Sequence, residues 1–382
     1  MPRILLVEDN ELNRDMLSRR LRREGFEVEV LTSGSMGDSY AFPSRQRFVD
    51  AAFGKPTDVP PVWLMRQAGR YLPEYREVRK RLKFLELCAD IPAATEVSLQ
   101  PFRRFGMDGV VFFSDILIPL PPMGIEVRLD EGGPKLPTPV RTAAAVDKLR
   151  GFDPTVETGF VPAILRTLKK ELDGRAALIG FCGAPWTLVT YIVEGAGSKS
   201  FIEVKTLMHR EPKVLEALLA KLADACGDYL AAQIEAGADV VQVFDTWAGE
   251  LSRADYDRFA RPATERLIGR LKNRAGVPVI LFASGSTHLI DSFAQMPVDV
   301  LSIDWKLPLD EARRRSNGKA LQGNVDPGVL LGTPEGVTDA VRVVRRAAGP
   351  GGHIVNLGHG ILPPTPLENV AAFVAAARKP ED

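Results

Sequence analysis

The sequence lacks the cysteine patterns that a disulfide framework or a zinc site requires. Its 382 residues include three cysteines, Cys88, Cys182 and Cys226, which are far apart and form no Cys-x-x-Cys pair. Disulfide-rich folds and structural zinc sites both depend on closely spaced cysteines or on cysteine–histidine clusters. We therefore expect neither feature, and a reducing cytoplasm is the simplest compartment for this chain.

The sequence also lacks an excess of charge and a long apolar run. Its 49 Lys and Arg residues balance 49 Asp and Glu residues, so a broad polyanion-binding face such as a nucleic-acid surface is not expected. A local group of arginines inside a cleft is still compatible with this balance. No apolar run approaches the length of about 20 residues that spans a bilayer, and the N-terminus has no signal-peptide pattern. We expect a cytoplasmic protein that does not bind membranes.

Residues 1–35 differ from the rest of the chain and predict a short β-α-β unit. RILLVEDN is an apolar strand that ends in acids, ELNRDMLSRRLRREGF has apolar residues at helical spacing, and VEVL is a second strand. This opening resembles the start of response-regulator receiver domains, a flavodoxin-like fold in which an acidic pair such as Glu8 and Asp9 helps to hold magnesium. The resemblance ends before the strand that carries the phosphorylated aspartate. We therefore interpret residues 1–35 as a truncated receiver-like fragment rather than a phosphorelay input.

The predicted boundary between two units follows this fragment. TSGSMGD, residues 32–38, reads as a linker, and Met36 is a candidate for an original start. A lone β-α-β unit of this size buries too little apolar surface to be expected to fold alone. The sequence therefore predicts a fragment over residues 1–35 and a catalytic domain over residues 36–382.

Eight short apolar runs separated by helical patterns dominate the chain after residue 60. They are continuously apolar, as strands buried on both faces of a parallel sheet are. Eight strand–helix units over roughly 300 residues predict a (β/α)8 TIM barrel. An open doubly wound sheet is the alternative, but it usually needs fewer units. The runs are VWLM (62–65), GVVFFSD (109–115), ALIGF (177–181), VVQVFD (240–245), PVILFA (278–283), VLSID (300–304), ALQGN (320–324) and HIVNLG (353–358).

Two arginines follow the first run, at the end of the strand where a barrel places its chemistry. Arg66 and Arg70 flank Gln67, Ala68 and Gly69. Guanidinium groups suit carboxylates because both partners can form two parallel charge-assisted hydrogen bonds. The alternative is that Arg70 pairs with a nearby structural acid, Glu74 or Glu77. Two arginines beside one strand end favour the binding of an anionic substrate.

Four other strand-end or loop residues are candidates, and each has a structural alternative. Asp115 is either a helix N-cap or a pocket acid with a perturbed pKa, and the local sequence does not decide between them. Tyr191 is either a core tyrosine or a ligand to substrate. Thr246 is either a capping residue or a hydroxyl donor to a ligand. His359 stands between two glycines, which allow a ligand to approach closely, although a solvent-facing turn is the alternative.

Six segments, taken in order, resemble the uroporphyrinogen decarboxylase family. They are MRQAGRYLPEYR, FFSDIL, GAPWTLVTYIVEG, FDTWAGEL, LQGNVDP and NLGHGI, and the resemblance spans roughly residues 40–378. It implies a (β/α)8 barrel, usually a homodimer, that acts without a metal or an organic cofactor. The implied substrate is uroporphyrinogen III, a cyclic tetrapyrrole with four acetate and four propionate arms. The implied carboxy-lyase removes carbon dioxide from each acetate and gives coproporphyrinogen III in haem biosynthesis.

The resemblance also implies roles for the matching residues. Arg66 and Arg70 would bind substrate carboxylates, and an arginine is also a proposed proton donor in this family. Asp115 would accept hydrogen bonds from the pyrrole N–H groups, and His359 would contact a propionate or order the site. The predicted catalytic residues are Asp115, Arg66 and Tyr191, and the predicted substrate-binding residues are Arg66, Gln67, Ala68, Gly69, Arg70, Asp115, Tyr191, Thr246 and His359.

Two other functions compete with the decarboxylase. Corrinoid-linked methyltransferases share the barrel but hold zinc with histidine and cysteine, and the three cysteines here have no suitable His-x-Cys context. The second competitor is a binding or signalling protein in which the receiver-like piece regulates a degenerate barrel. Against it, every site position that the decarboxylase requires is present. We expect a tetrapyrrole as the binding partner, no metal, no nucleic acid and no membrane.

Overall fold

The computed structural model describes residues 3–7, 11–25, 27–31, 44–130, 132–271 and 275–379. The chain divides into two compact units, Met1–Phe42 and Pro43–Asp382. In the first unit, β1 (Arg3–Val7) and β2 (Glu27–Leu31) pair in parallel, and α1 (Glu11–Arg23) lies between them in the chain.

The predicted β-α-β order of the N-terminal unit is therefore present. The acidic pair Glu8 and Asp9, and the predicted linker at residues 32–38, lie outside the described residues. The resemblance of this unit to a receiver domain stays a prediction, because it depends on those residues and on a phosphoacceptor strand that the sequence does not carry.

The larger unit alternates strands and helices along most of its length. Its strands are β3 (Gly109–Val111), β4 (Arg128–Asp130), β5 (Gly133–Lys135), β6 (Ala177–Gly183), β7 (Val240–Phe244), β8 (Val279–Phe282), β9 (Val300–Ser302), β10 (Ala320–Val325) and β11 (His353–Leu357). Its helices are α2 (Arg45–Ala52), α3 (Pro73–Arg79), α4 (Phe84–Ala89), α5 (Ile91–Phe105), α6 (Ala143–Asp147), α7 (Pro154–Glu157), α8 (Phe160–Leu172), α9 (Pro185–Glu194), α10 (Ile202–Arg210), α11 (Pro212–Glu235), α12 (Arg253–Asp255), α13 (Arg261–Gly269), α14 (Ile290–Ala294), α15 (Leu309–Arg315), α16 (Pro334–Ala348) and α17 (Leu367–Arg378). Single-turn segments of 3₁₀ or π-helix lie at Ala248–Glu250, Tyr256–Ala260, Thr287–Leu289 and Pro327–Leu331.

Seven parallel strands form the central sheet, in the order β11-β10-β9-β8-β7-β6-β3. The segment 62–65 fills the gap between the two ends of this sheet. Val62 forms a parallel bridge with Val355, and Val355 N–H donates to Pro61 O at 2.9 Å. On the other side, Asp108 N–H donates to Val62 O at 2.8 Å. The (β/α)8 architecture predicted from the sequence is confirmed, with β4 and β5 forming a separate antiparallel hairpin.

The first predicted strand, VWLM, is a bridge rather than a full strand. The Asp108 carboxylate accepts the Val62 N–H at 3.0 Å, and the Gln67 side chain accepts the Leu64 N–H at 3.1 Å. These side chains take the backbone donors that a strand ladder would otherwise use. The other seven predicted runs each contain an observed strand, although β3 ends before Phe113, whose N–H donates to Ser98 Oγ.

Buried side chains close the barrel at the N-terminal ends of its strands. Phe48 of α2 packs there against Trp63 and small or aliphatic residues of the strands. Above this layer, Trp63 Nε1 donates to Gln322 Oε1 at 2.9 Å, and Gln322 Nε2 donates to Ser302 Oγ at 2.9 Å. A filled, hydrogen-bonded interior leaves the opposite end of the barrel, where the strands terminate, as the place for a ligand.

Candidate active site

The RQAGR segment is fixed in a tight turn where 62–65 ends. The Gln67 side chain is fully buried and bridges two backbone groups, since it accepts from Leu64 N–H and donates to Gly109 O at 3.0 Å. A Cβ on Gly69 would lie 2.9 Å from Arg66 O, so the turn requires glycine there. The hydrogen bond from Gln67 to Gly109 ties the segment to β3.

Gln67, Ala68 and Gly69 therefore act on the site through the backbone they hold in place. Both polar ends of the Gln67 amide are bonded to backbone groups, and Ala68 packs against the hydrophobic core. We interpret Gln67 as a positioning residue for the two arginines. Substrate binding by these three residues stays a prediction.

The Arg66 side chain crosses the opening of the barrel towards the loop after β11. Arg66 has a φ of 63°, an unusual value for a residue other than glycine. Its side chain lies against Gly360, where an added Cβ would come within 2.4 Å of Arg66 Cδ. Desolvation is the largest influence on the pKa values of Asp115, Tyr191 and His359, and the positive charge of Arg66 acts on all three as a smaller, lowering contribution. These three residues follow three other strands, so the charge of Arg66 reaches groups from three separate parts of the barrel opening.

Arg70 is exposed and does not form the structural ion pairs that were its alternative. Glu74 pairs instead with Arg104 at 2.7 Å, and Glu77 pairs with Lys80 at 2.6 Å. Within the described ranges, neither the Arg66 nor the Arg70 guanidinium has an ion-pair or hydrogen-bond partner. Both are available to an anionic ligand.

Asp115 combines both of the roles that its sequence position suggested. Its Oδ1 accepts the Leu117 N–H at 2.8 Å and so caps the turn that follows β3. The side chain is half-buried, and desolvation raises the pKa of the carboxyl group, while the Leu117 hydrogen bond and the Arg66 charge oppose that rise. The geometry leaves Oδ2 without a partner among the described residues, so one oxygen is structural and one is available to a ligand.

His359 is held as a neutral ring with a defined tautomer. Gly360 N–H donates to His359 Nδ1 at 2.7 Å, so the ring proton lies on Nε2. Desolvation and the Arg66 charge lower the pKa of His359 to about 4, although the Asp304 charge raises it. The half-buried ring also packs edge-on against Phe282 at a centroid distance of 5.6 Å. Near neutral pH His359 is therefore an N–H donor without a charge.

Tyr191 and Thr246 both lie beside Trp247, although they come from different elements of the barrel. Tyr191, on α9, packs edge-on against Trp247 at 6.4 Å between ring centroids. Desolvation raises the pKa of Tyr191, and the Asp115 charge adds to this, while a hydrogen bond with Trp247 lowers it. Thr246 precedes Trp247 in the turn after β7 and is half-buried. Tyr191 thus lies within the electrostatic reach of Asp115 and Arg66.

The sequence of the larger unit matches a known protein family. Residues 43–380 match the family model described as uroporphyrinogen decarboxylase (URO-D). The chain belongs to the uroporphyrinogen decarboxylase family. The family expected from the six sequence segments is confirmed.

Curated relatives are similar over nearly their whole length. A uroporphyrinogen decarboxylase of Myxococcus xanthus is 47% identical over 334 residues, which are 87% of this chain and 96% of the relative. One from Syntrophotalea carbinolica is 48% identical over 87% of this chain and 97% of the relative. One from Synechococcus sp. (strain JA-2-3B'a(2-13)) is 46% identical over 87% of this chain and 97% of the relative.

Solved structures share the fold at low sequence identity. A methyltransferase from Methanosarcina mazei has a TM-score of 0.71 at 20% identity, over 88% of this chain and 98% of that chain. A B12-independent methionine synthase from Shewanella sp. W3-18-1 has a TM-score of 0.52 at 13% identity, over 78% of this chain and 88% of that chain. At these identities the likeness establishes the barrel and nothing about the reaction.

A buried acid lies behind the cleft of this uroporphyrinogen decarboxylase family member. Asp245, at the end of β7, has no exposed surface and accepts a hydrogen bond from Thr187 Oγ1 at 2.9 Å. Thr187 Oγ1 also accepts the Trp247 N–H at 3.2 Å. Desolvation raises the pKa of Asp245 to about 7. The sequence placed this acid at a strand end but gave no signal of its burial.

Aromatic side chains line the barrel beneath the cleft, and we call this set the aromatic arc. Successive rings are 5.0 to 5.9 Å apart between centroids. The set was missed from the sequence, although the signal is present, since four of the apolar runs carry phenylalanine close to their C-terminal ends. The arc consists of Phe112, Phe181, Phe244 and Phe282, and it meets His359.

The described part of the chain offers no obvious metal centre. It contains no group of three or more His, Cys, Asp or Glu side chains that are placed to hold a metal ion. Cys88, Cys182 and Cys226 are free and buried. None of the helices in the described ranges has both the length and the apolar character that crossing a bilayer requires.

Proposed function

We propose that the protein is a uroporphyrinogen decarboxylase, which removes carbon dioxide from the four acetate arms of uroporphyrinogen III to give coproporphyrinogen III. One observation carries the proposal for this chain: the charge of Arg66 acts on Asp115, Tyr191 and His359, which follow three different strands. A macrocycle is large enough to meet all of these groups at once.

The proposed binding mode uses the two unpaired guanidiniums for substrate carboxylates. Arg66 and Arg70 can form bidentate hydrogen bonds with acetate or propionate arms. His359 would donate its Nε2–H to a further carboxylate oxygen without adding charge. Tyr191 and Thr246 would hydrogen-bond other arms, and the aromatic arc would support the apolar face of the macrocycle.

The proposed chemistry places Asp115 beneath the centre of the macrocycle. Loss of carbon dioxide from an acetate releases an electron pair, which needs an acceptor. Protonation of the pyrrole ring carbon creates a cationic ring that accepts this pair, so no organic cofactor has to supply the sink. The Asp115 carboxylate accepts the pyrrole N–H groups and stabilises the cation in a site of low dielectric.

Each cycle then closes by a second proton transfer. After carbon dioxide leaves, the exocyclic carbon is an enamine terminus, and its protonation gives the methyl group while the ring proton is returned. The net change for each arm converts one acetate group, CH2COO−, and one proton to a methyl group and carbon dioxide. Arg66 and Tyr191 are the proposed polar partners of these transfers, because both lie within the electrostatic reach of Asp115.

The deciding experiment counts carboxylates on the product. Purified protein, dialysed against a chelator, is incubated with uroporphyrinogen under anaerobic conditions, and the oxidised products are separated by chromatography. We expect stepwise conversion from eight carboxylates to four, with heat-denatured protein as the control. A folded protein that converts nothing would overturn the proposal, and recovery only on adding a metal would overturn its metal-free form.

The remaining expectations accompany this proposal. We propose a cytoplasmic homodimer that binds no nucleic acid and is not regulated by residues 1–35. The corrinoid-linked methyltransferase is disfavoured, since the described cysteines form no cluster with histidine. A degenerate, receiver-regulated barrel is disfavoured because the arginines remain unpaired and Asp115 keeps an accessible oxygen.

A further inference from the structure

The loops that follow five neighbouring strands at the barrel opening contain almost no lysine or arginine of their own. These loops follow β7 to β11 and comprise residues 245–252, 283–289, 303–308, 326–333 and 358–366, all of which the structure describes. We call them the β7–β11 loops. Within them, Lys306 is the one lysine or arginine. Arg66 and Arg70 follow the segment 62–65, next to β11, and the Arg66 side chain reaches the loop after β11.

Local contacts place Lys306 at the opening. Its backbone N–H donates to Asp304 Oδ1 at 2.8 Å, which fixes the turn after β9. Its Nζ lies 3.9 Å from the position of a Cβ added to Gly285, so the side chain reaches towards the loop after β8. Lys306 is exposed, and its ammonium group has no ion-pair partner in the described ranges.

Trp305, the neighbour of Lys306, connects it to the candidate site at His359. A Cβ added to Gly358, next to His359, would lie 3.1 Å from a ring atom of Trp305. Trp305 is 38% exposed, and Lys306 Nζ lies 5.9 Å from the centroid of its ring. The Asp304 charge also acts on His359. The turn at 304–306 is therefore part of the same opening that His359 lines.

The sheet order places this turn across the opening from Asp115. With 62–65 counted between β11 and β3, β9 lies four positions from β3 in a circle of eight. If Asp115 lies beneath the macrocycle, arms project on every side of it. The arms that point towards β9 meet no guanidinium, and Lys306 is the cation that can reach them.

We infer that Lys306 binds a substrate carboxylate at the end of β9, across the opening from Asp115. The inference rests on the proposed function, and it adds a substrate-orienting residue to it. An ammonium is a compact charge on a flexible stem, so it can follow one arm as the macrocycle turns between successive decarboxylations. A solvated lysine with no ligand is the competing explanation.

The test compares Lys306→Ala with Lys306→Arg and with a matched lysine elsewhere. Lys170, in the last turn of α8, is exposed at the opposite end of the barrel and serves as the control in Lys170→Ala. KM and kcat are measured with uroporphyrinogen. The affinity for uroporphyrin, the oxidised octacarboxylate, is measured separately by fluorescence titration at several salt concentrations.

We expect Lys306→Ala to raise KM and the dissociation constant of uroporphyrin about fivefold, as the loss of one partly solvated charge-assisted hydrogen bond predicts. The value of kcat should change less than about twofold, since the contact is equally present in the ground state. Lys306→Arg should restore KM, and Lys170→Ala should change nothing. The salt dependence of binding should weaken in Lys306→Ala alone.

The outcomes separate this inference from the function on which it rests. Normal KM and normal uroporphyrin affinity in Lys306→Ala, with active wild-type protein, would overturn the role of Lys306 only. Wild-type protein that binds uroporphyrin through Lys306 but releases no carbon dioxide would support the site and overturn the decarboxylase. Wild-type protein that neither binds nor converts would overturn both.

Discussion

Thr187 donates a hydrogen bond to Asp245 across the junction between α9 and the end of β7, at 2.9 Å. Both side chains are fully buried, and Asp245 Oδ2 has no partner within the described part of the chain. The pair joins the helix that carries Tyr191 to the turn that carries Thr246. An acid in this position is favoured in its protonated form, because burial penalises the carboxylate.

We predict that Asp245→Asn removes a loss of folding stability that wild-type protein suffers as pH rises towards 7. Burial raises the pKa of Asp245 from 3.8 to about 7, so between these values the folded state binds the proton and the unfolded state does not. Stability contributed by this group therefore falls as pH rises from 4 to 7, by on the order of 4 kcal/mol. Calorimetry should show that the Tm of the variant, relative to that of wild type, increases from pH 5 to pH 8.

A control acid separates this effect from general charge removal. Asp153 is exposed, and hydrogen bonds from Thr155 lower the pKa of its carboxyl group. Asp153→Asn should therefore shift the Tm difference in the opposite direction over acidic pH, and by less. A Tm difference for Asp245→Asn that is constant with pH would contradict the assigned burial.

We predict that Asp115→Asn abolishes most turnover without unfolding the protein. The amide keeps the shape and can still accept the Leu117 N–H, but it no longer stabilises a cationic ring. A loss in kcat of at least about 100-fold is expected for a preorganised electrostatic group. Since desolvation raises the pKa of Asp115, the neutral variant should not be less stable at neutral pH, which thermal unfolding would check. A near-normal kcat would contradict the proposed role of Asp115 in stabilising the cationic ring.

We predict that Arg66→Gln raises the pKa of His359. Burial is the larger cause of the depression to about 4, and the Arg66 charge is the second, so the variant value should lie between 4 and the ordinary 6.5. NMR titration of labelled histidine would measure it. His353 is an internal control, because burial and a different pair of arginines, Arg313 and Arg345, lower its pKa to about 4. Equal shifts at both histidines would indicate unfolding instead.

We predict that a chain beginning at Pro43 retains catalysis. The compact catalytic unit and the family match both begin there. That unit has its own hydrophobic core, so kcat and KM should stay within about twofold of the full chain. Loss of activity in a truncated protein with unchanged circular dichroism would show that the receiver-like fragment takes part in the reaction.

The sequence carries enough information to predict the barrel because buried parallel strands read as continuous apolar runs. Seven of the eight runs contain strands, and the eighth still occupies its place between β11 and β3. Its reduction to a bridge could not be predicted, because it depends on Asp108 accepting the Val62 N–H from 46 residues away.

The sequence indicated candidate site residues, but it could not indicate how their side chains are arranged. Polar residues after the strands indicated Arg66, Asp115 and His359. The inward direction of Gln67 depends on its bond to Gly109, and the path of Arg66 depends on Gly360 in a distant loop. The complete burial of Asp245 likewise depends on tertiary packing, which the local sequence does not indicate.

The bridge between Val62 and Val355 also sets the order in which this protein can be completed during synthesis. Residue 62 leaves the ribosome almost 300 residues before its partner on β11. Until then the growing sheet has two unpaired edges, which are the surfaces on which unfinished chains associate with one another. Chaperones that shield exposed strand edges would therefore be needed most just before the last strand emerges.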